Sequence, residues 1–147
     1  MCRPSWIQSL AVAFLLICCD VASASVAMLL ATQDGAPARL VQTTHGYPNL
    51  LKAARLKNFS HKPIVSYTIG WGYVRPKGIQ YHAGVPMKVL DAIKPGVVYN
   101  VSDQAVAFDS QAEDVIFFVA AVTFADGSRW KANLKEVERT SGLKMSQ

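Results

Sequence analysis

From Val65 to Tyr73 a large apolar or aromatic residue stands at every second position: Val65, Tyr67, Ile69, Trp71 and Tyr73. The intervening positions, Ser66, Thr68, Gly70 and Gly72, are small or polar. Successive side chains of a β-strand point to opposite faces, so this pattern predicts a half-buried strand with its odd positions in a core. Pro63 suits the strand's first residue, where a missing amide donor does least harm. "RPKG" then turns the chain.

A second alternation runs through "DVIFFVAAVTFADGSRWKANL". Asp126-Gly127 marks a hairpin turn, and loop length decides which residues face each other. A two-residue loop would set Phe124 against Arg129 and Thr123 against Trp130. A three-residue loop, Ala125 to Gly127 with the glycine left-handed, pairs Val122 with Trp130, Ala120 with Ala132 and Phe118 with Leu134. The second register collects Phe118, Val122, Phe124, Trp130 and Leu134 on one face and leaves Thr123, Arg129, Lys131 and Asn133 on the other. It separates apolar from polar far better and is the register adopted. The predicted core is therefore Val65, Tyr67, Ile69, Trp71, Phe118, Val122, Phe124, Trp130 and Leu134.

Shorter pieces fill in the rest. "ARLVQTT" is β-branched and ends at the turn cluster "HGYPN"; "LLKAARLKN" reads as a strand closed by "KNFSHKP"; "IQYHAGVPMKVL" gives edge-like pieces around Pro86; "VVYNVS" alternates again. "DQAVAFDSQAED" has no clean period, and the polar C-terminus is expected to fray or form a short helix. Seven to eight short strands with turn chemistry between them predict an all-β, antiparallel β-sandwich, with a closed barrel as the alternative.

The N-terminus has a different pattern. "MCRPSW" carries one basic residue, "IQSLAVAFLLICC" is apolar, and Ala22-Ser23-Ala24 offers a small-residue cleavage site. This sequence of regions predicts a helical signal peptide over 1–24. The apolar run is shorter than the roughly 20 residues of a bilayer span, which argues against a retained anchor. The expected organisation is signal peptide 1–24, N-terminal segment 25–37, β-sandwich 38–134 and polar tail 135–147. Localisation follows as exported, periplasmic or extracellular, with no stable membrane span after cleavage. All three cysteines, Cys2, Cys18 and Cys19, would leave with the signal. The mature chain then has no disulfide, thiol nucleophile or cysteine ligand, and must hold together by core packing.

Cleavage would leave 14 basic and 9 acidic residues, still +5. The basic residues stand singly between apolar ones, with no run of four. Nucleic-acid binders concentrate charge in a stripe or a module, so no nucleic-acid partner is expected and a solvated basic surface is the simpler reading.

The stretches "LKNFSHKPIVSYTIGW", a later "KPG" before a strand, and "FFVAAVTFADGSRWKAN" resemble small, uncharacterised exported bacterial proteins with an immunoglobulin-like β-sandwich. The resemblance spans Ala38 to Leu134. It implies fold and compartment and brings no catalytic residue with it.

Candidate chemistry is sparse. His45, His61 and His82 have no histidine or carboxylate at i+2 or i+4, so no metal site and no cofactor are predicted. There is no G-x-S-x-G elbow or glycine-rich phosphate loop, and the acids sit at strand and turn boundaries. No catalytic residue is assigned and the chain is not expected to be an enzyme; a small hydrolase or metal-dependent activity is the remote alternative. "NFS" at Asn58 and "NVS" at Asn100 match the glycosylation sequon, but the bacterial resemblance favours ordinary turn and strand-exit residues. An aromatic surface for carbohydrate or peptide is the nearer alternative, and Trp71, Tyr81 and His82 are its candidate residues. The leading expectation is a non-catalytic interaction or structural module whose partner is an unknown protein or envelope component.

Overall fold

The computed structural model describes residues 27–46, 50–102, 104–105, 112 and 114–141. The expected signal peptide lies outside the described residues. Among the described residues, ten strands and one helix follow in order: β1 (Ala27–Leu30), β2 (Ala38–Gly46), β3 (Leu50–Asn58), β4 (Ile64–Arg75), β5 (Gly78–Ala83), β6 (Met87–Ile93), β7 (Val98–Asn100), β8 (Gln104–Ala105), β9 (Asp114–Phe124), β10 (Arg129–Lys131) and α1 (Leu134–Thr140). The all-β class holds, with more strands than the seven or eight expected: the additional ones are β1, in the N-terminal segment, and the two-residue β8, in the stretch without a clean period.

The strands form two sheets. In the larger, β4 and β9 are the long central pair, and each carries two short strands on its outer edge: β5 and β6 on β4, β1 and β10 on β9. In the smaller, β3 pairs with β2 on one side and with β7 and β8 on the other. All pairs are antiparallel except β1 with β9, which is parallel and corrects the purely antiparallel expectation. Between the sheets lies the main core, built from Leu40, Leu56, Ile64, Tyr67, Ile69, Trp71, Val119, Val122 and Phe124 among others. Tyr67 and Tyr99 meet edge to face at 6.0 Å across it, and burial, then the neighbouring Tyr99, raises the Tyr67 pKa.

Two bulges reset the predicted parity. Ile64 pairs with Phe124 but Ser66 with Thr123, so Val65 is the extra residue on β4. An extra residue bends the strand and breaks its alternation. Ile64 is therefore the buried residue, and Val65, expected in the core, is only half-buried outside it. On β9, Thr68 pairs with Ala121 and Ile69 with Val119, leaving Ala120 unmatched. Past that point the faces exchange. Phe117 and Val119 join Val122 and Phe124 in the main core, while Ile116 and Phe118 enter a second core on the far side of the sheet. Phe118 is buried, but not with Val122 and Phe124 as expected.

The turn at Asp126-Gly127 has the three-residue register: Trp130 stands opposite Val122 and Gly127 is left-handed at φ 80°. Trp130 packs, half-buried, against the main core. The last bond of the hairpin is from Ala132 N to Ala120 O at 2.8 Å, at the expected pair, but Leu134 begins α1 and is 43% exposed, so it is not a core residue. The helix forms because Asn133 caps it, accepting from Lys135 N at 3.1 Å, and because Val137 seals the second core. The N-terminal segment is tied to the same end: Ala31 N donates to Phe117 O at 2.9 Å and Asn133 N to Gln33 Oε1 at 2.9 Å. The folded body thus extends past 38–134 at both ends. Among the described residues no helix is long and apolar enough to cross a membrane.

Candidate functional site

The three aromatic candidates do not share a surface. Tyr81 and His82 are adjacent on β5 and so point to opposite faces of the sheet. His82 stands opposite Trp71 and stacks on it, ring centroids 5.8 Å apart at 18°, with Tyr73 edge-on to the same imidazole at 5.6 Å. Trp71 belongs to the main core, and its Nε1 is buried with no hydrogen-bond partner among the described residues. Tyr81 lies on the far side, edge to face with Phe118 at 6.1 Å. Burial, with the charge of Glu138 second, pushes its hydroxyl up to about 12.

These aromatics also explain the two glycines flanking Trp71. A Cβ on Gly70 would lie 2.6 Å from Phe118 Cζ, and one on Gly72 would lie 2.7 Å from Ile79 Cγ2 and 3.1 Å from Tyr81 Cδ1. The glycines are the floor on which Phe118, Ile79 and Tyr81 rest, beneath the cover of α1. "GWG" is core on both sides.

The histidines do not converge either. His61 is in the β3–β4 turn, and His82 is paired with Trp71, seven residues beyond Ile64 on β4, a strand distance of about 23 Å. His45 is in β2 opposite Leu51, and its side chain lies outside the described residues. No group of three metal-ligating side chains occurs among the described residues.

A site the sequence did not single out lies on the smaller sheet. Its four strands contain Arg39, Lys52, Arg55 and Lys57 and no aspartate or glutamate. Alternation sends Leu40, Ala54 and Leu56 to the core, so Arg39, Arg55 and Lys57 project from the outer face. Arg39 and Lys57 are directly opposite each other across β2 and β3. Both lie over the ring of Phe59, the guanidinium carbon at 5.2 Å and the ammonium at 4.9 Å from its centroid. Phe59 is itself 46% exposed. Neither cation makes an ion pair among the described residues, and Arg39 Nε is buried without a hydrogen-bond partner. Arg55 reaches Gln42 Oε1 at 3.5 Å.

Arg39 and Phe59 continue this face into an open cleft of about 440 Å³, whose lining includes Pro37, His61, Lys62 and Phe124. Its far wall is fixed by a polar turn. Asp126 accepts from Lys62 Nζ at 2.6 Å and from Ser128 N at 2.9 Å, and these bonds hold its carboxyl well below the usual carboxylate range. The near wall is fixed by Asn58, which is fully buried. Its Nδ2 donates to Lys62 O and Ile93 O, both at 2.8 Å, while its Oδ1 accepts from Ser60 N at 2.9 Å and Ser60 Oγ at 2.7 Å. Both amide hydrogens are thus spent inside the protein, so the sequon at Asn58 has no free nitrogen for a glycan. Asn100 is exposed on β7.

The arrangement is suited to holding negative charge: cations with no acid between them, beside exposed apolar surface. The linear sequence concealed it because Arg39 and Lys57 are far apart along the chain and adjacent only through strand pairing. Comparison with protein-family models, with curated proteins and with solved structures finds no match.

Proposed function

We propose that this chain is a non-catalytic, exported module with an immunoglobulin-like sandwich, acting by interaction with an anionic envelope component through the outer face of its smaller sheet. The observation that carries the reading is the all-basic smaller sheet, with Arg39 and Lys57 opposed across two strands and sharing the half-exposed Phe59 ring. Net charge alone would not segregate in this way: the acids of the described residues fall in the larger sheet, the turns and α1.

The test is affinity for a soluble polyanion, heparin, measured by titration calorimetry on the purified chain. Arg39→Gln/Lys57→Gln should weaken binding by an order of magnitude or more. Arg129→Gln/Lys131→Gln, which removes the same charge from exposed β10, should change it little. Equal losses from the two variants would reduce the face to a share of net charge and defeat the proposal.

A further inference from the structure

Resting on that reading of the basic face, we infer that its partner is an anionic lipid bilayer, met by the outer side of the smaller sheet. Three observations select a bilayer over a linear polyanion. First, Arg39, Lys57 and Arg55 are spread over two neighbouring strands of an open sheet face, with the cleft only at one end. Cations spread across a sheet face can meet several headgroups at once, whereas a single polymer chain is tracked by a groove.

Second, the face and its rim carry exposed apolar side chains. Val41, the extra residue where β2 shifts register against β3, is 45% exposed, Phe59 46%, and Val97, whose carbonyl accepts from Asn58 N, 44%. Valines contribute nothing to a phosphate or sulfate chain, whereas the acyl boundary of a bilayer takes them up.

Third, the Phe59 ring lies under its own cations. A sugar or base that binds by stacking needs a free aromatic face. Arg39 and Lys57 already occupy ring surface that a stacking ligand would have to take, and the exposed part of Phe59 is an apolar wedge beside two charges. Such a wedge sits at headgroup depth, with the long side chains snorkelling to the phosphates. This docking is peripheral and reversible, since a few cations with a few small apolar groups fall well short of an inserted helix.

The experiment is co-sedimentation of the full chain with vesicles of phosphatidylcholine alone and of phosphatidylcholine with 30% phosphatidylglycerol, alongside the heparin titration. Binding is expected only to the anionic vesicles, weakening as salt rises. Each cation at an anionic surface is worth about fivefold, so Arg39→Gln/Lys57→Gln should cost about 25-fold. Val41→Thr/Phe59→Ser keeps every charge and should lose the binding that survives at high salt; a thermal melt of each variant verifies that it is folded. Heparin binding without vesicle binding would overturn the bilayer and leave the basic face standing. Binding to neither would overturn both. Equal binding to neutral and anionic vesicles, or an equal loss in Arg129→Gln/Lys131→Gln, would also overturn the inference.

Discussion

Replacing Asn58 by aspartate exchanges one NH2 for one oxygen at a fully buried position, and the structure fixes what that exchange does. Nδ2 is the donor to two main-chain carbonyls, of Lys62 and Ile93, each at 2.8 Å. An ionised aspartate would place a carboxylate oxygen against both. Two hydrogen bonds are lost, two acceptors are stranded and a charge is buried, which together cost about 4 kcal/mol. Asn58→Ala removes the same bonds and the two from Ser60 without adding a charge, at about 3 kcal/mol. At roughly 4 °C per kcal/mol for a domain of this size, melting temperatures should fall by about 15 °C and about 12 °C near pH 8. The aspartate variant has a further signature. Burial raises its folded pKa above the unfolded value of about 3.9, so the folded state holds more protons and stability falls as pH rises through that interval. Protonated, the new side chain regains one donor, and the loss at pH 4.5 should be about half that at pH 8. Circular-dichroism melts of parent, Asn58→Ala and Asn58→Asp at the two pH values test this. An aspartate variant within about 2 °C of parent at pH 8, or one hurt more at pH 4.5, would refute the assigned bonding.

Other perturbations probe the surrounding structure. Gly70→Ala drives a methyl into the Phe118 ring, held edge to face by Tyr81, and should cost about 1–3 kcal/mol in urea unfolding. For Asp126, the bonds to Lys62 and Ser128 lower the folded pKa, so its stabilisation is present above the ordinary carboxylate range and lost as pH falls through the folded value. The stability gap between parent and Asp126→Asn should therefore be open at pH 7 and close in acid, as acid-titrated melts would show. Ala53 has φ 46°, left-handed and strained for an alanine. Ala53→Gly should change stability by less than about 0.5 kcal/mol, because relief of strain offsets glycine's extra chain entropy. Ala54→Gly, at a buried core position next to it, should cost at least about 1 kcal/mol in the same urea assay.

The sequence revealed strands wherever alternation is unbroken, and it misled where one inserted residue breaks it. Tyr67, Ile69 and Trp71 lie past the Val65 bulge and are buried together; Val65 itself is displaced and Ile64 takes the core place. The Ala120 bulge moves Phe118 to the other side of the sheet in the same way. A bulge is set by how a strand fits its partner, and no property of Val65 or Ala120 announces it. The turn at Gly127 was readable because local chemistry and face separation agreed. Leu134 was not, since face separation placed Asn133 on a strand's polar side, whereas its side chain caps a helix whose Val137 meets Phe118's core. The basic face was invisible for a stronger reason. Lys57 follows Arg55 by two residues on one face of β3, but Arg39 belongs to β2, and strand pairing alone sets it opposite Lys57.

That pairing bears on why the face exists. Like charges directly opposite each other on a sheet are destabilising, and an acid at either position would serve the fold better. Phe59 offsets part of the cost through its two cation–π contacts, 5.2 Å and 4.9 Å from the ring centroid, but the pair remains a poor choice for stability alone. Lys57→Glu converts the repulsion into an attraction across the same register. The swing of about 1 kcal/mol, less about 0.5 kcal/mol for the lost contact with Phe59, leaves a variant about 0.5 kcal/mol more stable. Its melting temperature should rise by about 2 °C. The same change should weaken binding by about 25-fold, because it takes one cation from the face and adds an anion at its centre, a change of two charges. A gain in stability together with a loss of binding is what a surface kept for a partner must give. A melting temperature lowered by more than about 4 °C would show that Arg39 and Lys57 do not oppose each other as described. Undiminished affinity for anionic vesicles and for heparin would show that the opposed pair is not what the partner reads.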